Sequence, residues 1–220
     1  ALAEAYGMGG HLDIRERLQR SVDLIVKCQN REGGWRYRPF AADSDMSVTV
    51  CQVMALRAAR NIGINVPKAT IERASRYVGK SAVRNGPRLP AIALLAGKRS
   101  KGSFLYQPDA RSRISFAMTA AGVAALHGAG NYSAEDIRPG LDALHSEQDL
   151  FSQTWGVRED GHYFFYYGHY YATQAMYVAG GDDWARYWPK VRDTLIRMQR
   201  ANGSWQNRVG PGDAFGTAVA

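Results

Sequence analysis

Cysteine and proline are both scarce in this chain of 220 residues, which contains two cysteines, eight prolines and 23 glycines. A disulfide scaffold of this length needs more than two cysteines, so the sequence does not indicate an oxidising compartment. Cys28 and Cys51 each fall inside a helical pattern, where cysteine commonly serves as a small buried apolar residue. Many glycines with few prolines favour short ordered loops over disordered segments.

Long apolar runs are missing as well. Stretches such as residues 91–96 are far too short to cross a bilayer, and the chain does not open on a basic segment followed by an apolar one. We therefore expect no transmembrane segment and no targeting signal, and the compartment stays undetermined.

The charge is unbalanced, with a formal net charge of +8, but no dense basic block with interleaved aromatics occurs. Arginines such as Arg57, Arg60 and Arg73 are dispersed, which is typical of solvated outer helix faces. We therefore expect no nucleic-acid partner. Peripheral contact with a membrane stays open, because a basic surface attracts anionic lipids.

What the chain does contain is a phrase that occurs twice, far apart. Residues 29–35 and 199–205 both fit the template Q-x-x-x-G-[GS]-W, and each follows a helical pattern. A variant at 102–108 parallels 33–39, with Phe in place of Trp. Self-similarity of this kind marks a repeat architecture, in which a helical unit buries its apolar face only by stacking on its neighbours.

Two kinds of helix alternate between these phrases. Residues 48–59 are almost all apolar or small, which predicts a buried inner helix, and residues 119–126 and a segment opening at Thr173 repeat the pattern. Amphipathic segments predict outer helices at 12–28, 133–145 and 182–199. About four such pairs predict an all-α fold, an α/α toroid, with a flat α-solenoid as the structural rival.

Both ends of the chain fall inside helical patterns. We therefore predict a single domain spanning residues 1–220 that forms a partial or trimmed ring. Thr49, Thr119 and Thr173 are predicted at the starts of inner helices, at the same end of the ring as Tyr37 and Tyr106.

The repeated phrase with its small-residue inner helices resembles the QW repeat of squalene–hopene cyclases and, more broadly, the prenyltransferase/squalene-oxidase repeat family. The resemblance covers nearly the whole chain. It implies an α/α toroid in which the Gln and Trp of each phrase tie a helix end to its neighbour. Trp35 and Trp205 are then large buried rings whose N–H groups have partners.

The same resemblance indicates a missing catalytic acid. Class II cyclases protonate an alkene with the middle acid of a D-x-D-D-T-A motif at the start of an inner helix. Alignment on Thr49 and the downstream Met-Ala-Leu places Ser47 at the donor position, and a hydroxyl cannot protonate an isolated alkene. Asp45 stays a candidate catalytic residue, although we expect it to cap the inner helix; Asp43 is out of register.

Other members of the fold offer metal or thioester chemistry that this sequence does not support. Protein prenyltransferases hold zinc with an Asp-x-Cys pair and a distant His, whereas Thr49 stands where the acid should precede Cys51. The Cys-Gly-Glu-Gln sequence of complement-type thioester domains is also missing. We therefore predict no metal and no cofactor.

The aromatic run at 162–171 is the most unusual stretch of the chain. Cyclases line their cavities with aromatic faces that attract carbocations, which suggests that five tyrosines bind a ligand: Tyr37, Tyr106, Tyr166, Tyr170 and Tyr171. The alternative is that such rings fill an incomplete barrel, with hydroxyls bonded across it. His162 and His169 are candidate general bases, although tyrosine-rich surroundings also satisfy histidines structurally.

A carbohydrate-active enzyme stays open as another class, because glycosidases and polysaccharide lyases also use α/α toroids. These enzymes need two carboxylates facing one cleft, and the candidates are Asp43, Asp45, Glu159 and Asp160. The leading hypothesis is a toroid without the cyclase acid that binds an apolar small molecule or a protein partner in an aromatic cavity. An active terpene cyclase-like or carbohydrate-active enzyme is the alternative.

Overall fold

The structure is a computed structural model that describes residues 2–9, 12–89, 98–109, 111–132, 135–154, 164–207, 209–210 and 212–220. Within those ranges it is all-α, as predicted, with two isolated β-bridges and no strand. The helices are α1 Leu2–Gly9, α2 Leu12–Cys28, α3 Met46–Asn61, α4 Lys68–Ser81, α5 Phe116–Gly128, α6 Ile137–Thr154, α7 Phe165–Ala179, α8 Gly181–Met198 and α9 Asp213–Val219.

The helices pack in chain order. The helices α3, α5, α7 and α9 form a row in which each contacts the next. The alternate helices cover this row: α4 packs on α3 and α5, α6 on α5 and α7, and α8 on α7 and α6. We call the helices of the row inner and the covering helices outer. None of the described helices is long and apolar enough to span a bilayer.

The inner helix α5 is apolar on every side because it is surrounded on every side. All of its residues from Phe116 to His127 are buried, and small residues let neighbours approach closely. A Cβ atom on Gly122 would lie 2.3 Å from the Phe104 ring. The expectation of a small-residue inner helix is confirmed here.

The outer helix α4 shows the opposite pattern. Its buried face, which includes Ala74, Tyr77 and Val78, packs inward, whereas Lys68 and Glu72 on the other face form an exposed i,i+4 pair. Such a stripe of apolar residues is what a one-sided helix needs.

Two of the three threonines predicted at inner-helix starts lie there. Thr49 and Thr119 are each the fourth residue of their helix, and their N–H groups bond to the carbonyls of the N-cap residues Asp45 and Ser115. The prediction for Thr173 is wrong, because α7 begins at Phe165 and places Thr173 in mid-helix.

Each repeated phrase closes a loop that we call a clasp: residues 29–35 form the first clasp and 199–205 the last. In the first clasp, Gln29 Nε2 donates to the Gly33 carbonyl at 2.8 Å, and Trp35 Nε1 donates to the Ile25 carbonyl at 2.8 Å. The Trp35 backbone N–H donates to Thr49 Oγ1 at 3.2 Å. The first clasp therefore fixes the end of α2 to the start of α3.

The variant at 102–104 keeps only part of this arrangement. The Phe104 N–H donates to Thr119 Oγ1 at 3.3 Å, as the Trp35 N–H does to Thr49. Gly102 has φ of +94° and comes so close to α6 that a Cβ atom there would lie 2.2 Å from the Pro139 carbonyl oxygen. Glycine is required at this position by both its backbone angle and its close approach to a helix.

Candidate functional site

An ion pair between a fully buried carboxylate and a partly exposed arginine marks the N-terminal end of α3. Asp45 is fully buried and caps the helix, because its Oδ1 accepts from the Val48 N–H at 2.9 Å and from Ser47 Oγ at 2.5 Å. Arg36 Nη1 donates to Asp45 Oδ2 at 3.1 Å, and Arg36 Nε lies 3.3 Å from Asp43. A carboxylate with this many donors is an acceptor that holds the loop to the helix.

Two of the predicted tyrosines meet at this end. Tyr37 and Tyr106, which occupy matching positions in successive repeats, are hydrogen-bonded through their hydroxyls at 3.3 Å. The Arg36 guanidinium lies 5.6 Å from the Tyr37 ring centroid and 5.9 Å from that of Tyr106. Burial, together with the Tyr37 bond, raises the pKa of Tyr106 to about 12, so its phenol stays neutral at physiological pH.

The α7 tyrosines that face α3 are Tyr167 and Tyr171. Tyr167 donates to the Ser47 carbonyl at 3.2 Å, and the Tyr171 hydroxyl lies 3.3 Å from the Cys51 sulfur. Burial raises the pKa of both phenols well above the usual value. Tyr171 was among the predicted ligand residues, whereas Tyr167 was missed; its i,i+4 spacing from Tyr171 was the available signal.

The remaining candidates lie elsewhere. Tyr166 donates to the Gln206 carbonyl at 2.9 Å and so joins α7 to the loop after the last clasp, while Tyr170 is exposed. His169 is buried, with its Nδ1 2.7 Å from the hydroxyl of Tyr187 on α8. Thus Tyr166 and His169 bond to other elements, while the Tyr170 ring packs on that of Tyr171 with centroids 5.1 Å apart.

The chemistry available at this end is limited. Ser47 donates to Asp45, and Asp45 has no surface open to a substrate. Asp43 and Asp45 share one guanidinium, which is a structural pairing and not an opposed acid–base pair. His162, Glu159 and Asp160 lie outside the described residues.

A cleft of about 270 Å³ opens at the opposite end, where the C-terminal ends of α3, α5 and α7 meet. Much of its wall is apolar. It is lined by Met54, Arg57, Ala124, His127, Gly128, Tyr132, Gln174, Tyr177 and Val178. No residue of this cleft was among the predicted ligand-binding residues, because its walls come from three helices far apart in the sequence.

Arg57 organises one wall of this cleft. Its Nη1 donates to the His127 carbonyl at 2.9 Å and approaches the Gly128 carbonyl at 3.3 Å, and its Nη2 donates to the Tyr132 hydroxyl at 2.8 Å. The Tyr132 ring stacks on His127 with centroids 5.8 Å apart. Burial, and then the charge of Arg57, lower the pKa of His127, so this imidazole is neutral at pH 7.

Arg57 also corrects a prediction made from the charge pattern. It was assigned to a solvated outer face, but it lies on an inner helix and binds the C-terminal carbonyls of its neighbour. The available signal was an arginine within the segment 48–59, which is otherwise apolar or small except for Gln52.

A second cleft of about 320 Å³ lies beside α6. There Arg84 pairs with Asp136 at 2.7 Å and with Glu135 at 3.0 Å, so the charge of Arg84 is already matched within the cleft.

Burial alone raises the pKa of Glu147, also on α6, to about 8. Within the ranges that the structure describes, no three His, Cys, Asp or Glu side chains are grouped as a metal site would require.

Comparison of the chain with protein-family models, with curated proteins and with solved structures gave no match.

Proposed function

We propose that this chain is an α/α toroid of the squalene-cyclase repeat type that does not cyclise terpenes and instead binds a small apolar molecule. The observation that carries the proposal is the cleft between the C-terminal ends of α3, α5 and α7, with Met54, Ala124 and Val178 in its wall. Concave, mostly apolar sites between helices are the usual places for such ligands.

The toroid part of the proposal is supported by the order of helix packing. Inner helices contact one another in sequence, and α4 and α6 each bridge two consecutive inner helices. The bond from an aromatic residue's N–H to a threonine of the next inner helix occurs three times, at Thr49, Thr119 and Thr217. The contact recurs at the inner helices α3, α5 and α9, and such recurrence is typical of an architecture built from stacked repeats.

The non-cyclising part is supported by the surroundings of Asp45. Its carboxylate accepts from Arg36, Ser47 and the α3 backbone and is fully buried. A general acid must reach the atom that it protonates, and this one faces only protein donors.

The size of the cleft limits the ligand. About 270 Å³ is just below the range of roughly 300–1,000 Å³ common for drug-sized molecules. The ligand is therefore a small molecule or a single apolar group of a larger one, and not a whole triterpene.

The direct test uses methionine methyl groups as position markers. Met54 lines the cleft, whereas Met46 is buried at the other end of the same helix. In a spectrum of ¹³C-methyl-methionine protein titrated with 1-octanol, the Met54 signal should shift with saturation and the Met46 signal should not. Met54→Leu, a substitution that conserves volume, identifies the signal. Absence of a saturable Met54 shift would show that the cleft does not bind apolar molecules.

The absence of cyclase activity has a separate test. Incubation with squalene or with a linear prenyl diphosphate should yield no cyclic product. A cyclic product that disappears in Asp45→Asn would contradict the proposal and make Asp45 the acid of an active cyclase.

A further inference from the structure

The cleft between α3, α5 and α7 carries an unbalanced positive charge. Of the nine residues that line it, Arg57 is formally charged, and His127 is neutral at pH 7. No carboxylate is among those nine. An apolar pocket with one cation in its wall selects for the charge of its ligand as well as for its shape.

The hydrogen bonds of Arg57 leave part of its guanidinium unused. An arginine has five N–H donors, and here they reach two carbonyls at the end of α5 and the Tyr132 hydroxyl. Within the described ranges at least two N–H donors therefore stay without a protein acceptor. Unused donors of a guanidinium favour a carboxylate, which can accept two at once.

The C-terminal end of α5 does not cancel this charge. A helix C-terminus is equivalent to roughly half a negative charge, and Arg57 brings a full positive one to the carbonyls of His127 and Gly128. The net charge of the arginine and the helix end together stays positive, so an anionic group binds here more favourably than a neutral or cationic one.

The volume sets the size of the apolar body. A cleft of about 270 Å³ lies just below the roughly 300–1,000 Å³ common for drug-sized ligands, so it takes a small apolar body. Tyr177 and Val178 are exposed on the wall contributed by α7, so the apolar part of such a ligand has side chains to cover.

We propose that the cleft binds a small monocarboxylate, with its carboxylate on Arg57 and its apolar body between Met54, Ala124 and Val178. This inference rests on the proposed function, because it names the class of ligand for the same cleft. Short-chain fatty acids and small aromatic acids share this chemistry.

The first experiment compares three ligands of one chain length at pH 7.5: octanoate, 1-octanol and octylamine. Titrations followed by the Met54 methyl signal should give octanoate a Kd at least tenfold lower than that of 1-octanol, with octylamine weakest. Benzoate and benzyl alcohol form the matching aromatic pair, so the two pairs distinguish a fatty acid from an aromatic acid. Tighter binding of either acid than of its own alcohol supports the proposal.

A matched pair of variants tests the charge without disturbing Arg57. Val178 is exposed, so Val178→Glu and Val178→Lys should both fold, as circular dichroism would verify. Val178→Glu should bind octanoate at least tenfold more weakly than Val178→Lys does. The two variants should bind 1-octanol alike. Arg57→Gln should abolish the preference for octanoate over 1-octanol.

The outcomes separate the two proposals. If octanoate binds no more tightly than 1-octanol and benzoate no more tightly than benzyl alcohol, the cleft binds apolar molecules without regard to charge and the carboxylate inference is overturned. The same holds if the Val178→Glu and Val178→Lys variants bind octanoate equally. If no ligand shifts Met54, the proposed function fails, and the inference fails with it.

Discussion

The first and last clasps make the same hydrogen bonds in different surroundings. In both, the glutamine Nε2 donates to the carbonyl four residues on, at 2.8 Å in the first and 3.1 Å in the last. In both, the tryptophan Nε1 donates to a carbonyl ten residues back at 2.8 Å. The backbone N–H of the tryptophan donates to a threonine hydroxyl, that of Thr49 in the first clasp and that of Thr217 in the last.

Their burial differs. Trp35 is 3% exposed, and Gln29 Nε2 makes a second bond, to the Thr70 carbonyl of α4. Trp205 is only partly buried, and Gln199 is exposed. The comparison teaches that the phrase alone determines the local bonds, whereas burial comes from the outer helix that packs over it. The same substitution in the two clasps therefore separates local from tertiary energy.

The largest difference should come from glycine. Gly33→Ala would place a Cβ atom 2.4 Å from the Arg73 carbonyl oxygen at a φ of +98°, so we expect a loss of about 5 kcal/mol or more. Gly203→Ala, at φ +82° with only Gln199 Nε2 as near as 4.0 Å, should cost about 1–2 kcal/mol, from the backbone angle alone. Urea unfolding measures both, and equal losses would contradict the role given to α4.

Tryptophan truncation should give the next largest difference. Trp35→Ala removes a buried ring and should cost about 3–5 kcal/mol. Trp205→Ala removes a partly exposed one and should cost about 1–2 kcal/mol, in proportion to the area it buries. Thermal unfolding by circular dichroism compares the two; a shift near zero for Trp35→Ala would show that its clasp is not structural.

Substitution of the two glutamines tests the extra hydrogen bond that Gln29 makes to the Thr70 carbonyl. Gln29→Ala loses two acceptors, the carbonyls of Gly33 and Thr70, and should cost about 2 kcal/mol because the Thr70 carbonyl loses a partner. Gln199→Ala loses one bond on the surface and should cost about 0.5 kcal/mol. Denaturation midpoints at a constant m-value give the values, and the double variant should be additive because the sites share no partner.

Threonine should give the smallest effect. Thr49→Val leaves the buried Trp35 N–H without its acceptor and should cost about 1 kcal/mol. Thr217 is exposed, so water replaces its hydroxyl in Thr217→Val and the change should lie within about 0.5 kcal/mol. A larger loss from Thr217→Val than from Thr49→Val would reverse the comparison between the clasps.

Sequence reasoning works where the signal is local. The phrase predicts the clasp, and apolar residues on every side predict the burial of α5. The start of α7 was placed at Thr173, where the sequence matches Thr49 and Thr119. That match is wrong for structure, because the helix begins eight residues earlier, at Phe165.

The cleft could not be predicted in the same way. Its walls come from α3, α5 and α7, and no spacing in the sequence states that Met54, Ala124 and Val178 face one space. The Tyr37–Tyr106 pair was accessible to reasoning because the two residues hold equivalent places in successive repeats. The burial of Asp45 beside this tyrosine pair depends on its bond to Arg36, and Arg36 is not part of the repeated sequence pattern.

The threonine bonds described above also determine how fast single amide hydrogens leave the protein. The N–H groups of Trp35 and Phe104 are bonded inside the buried core, so their exchange with deuterium requires large-scale opening. The Trp205 N–H is bonded to a threonine at the surface, and separation of α9 is enough to release it. Hydrogen exchange should therefore divide the molecule into a slow part around α5 and a fast part at α9, although both are held by the same kind of bond.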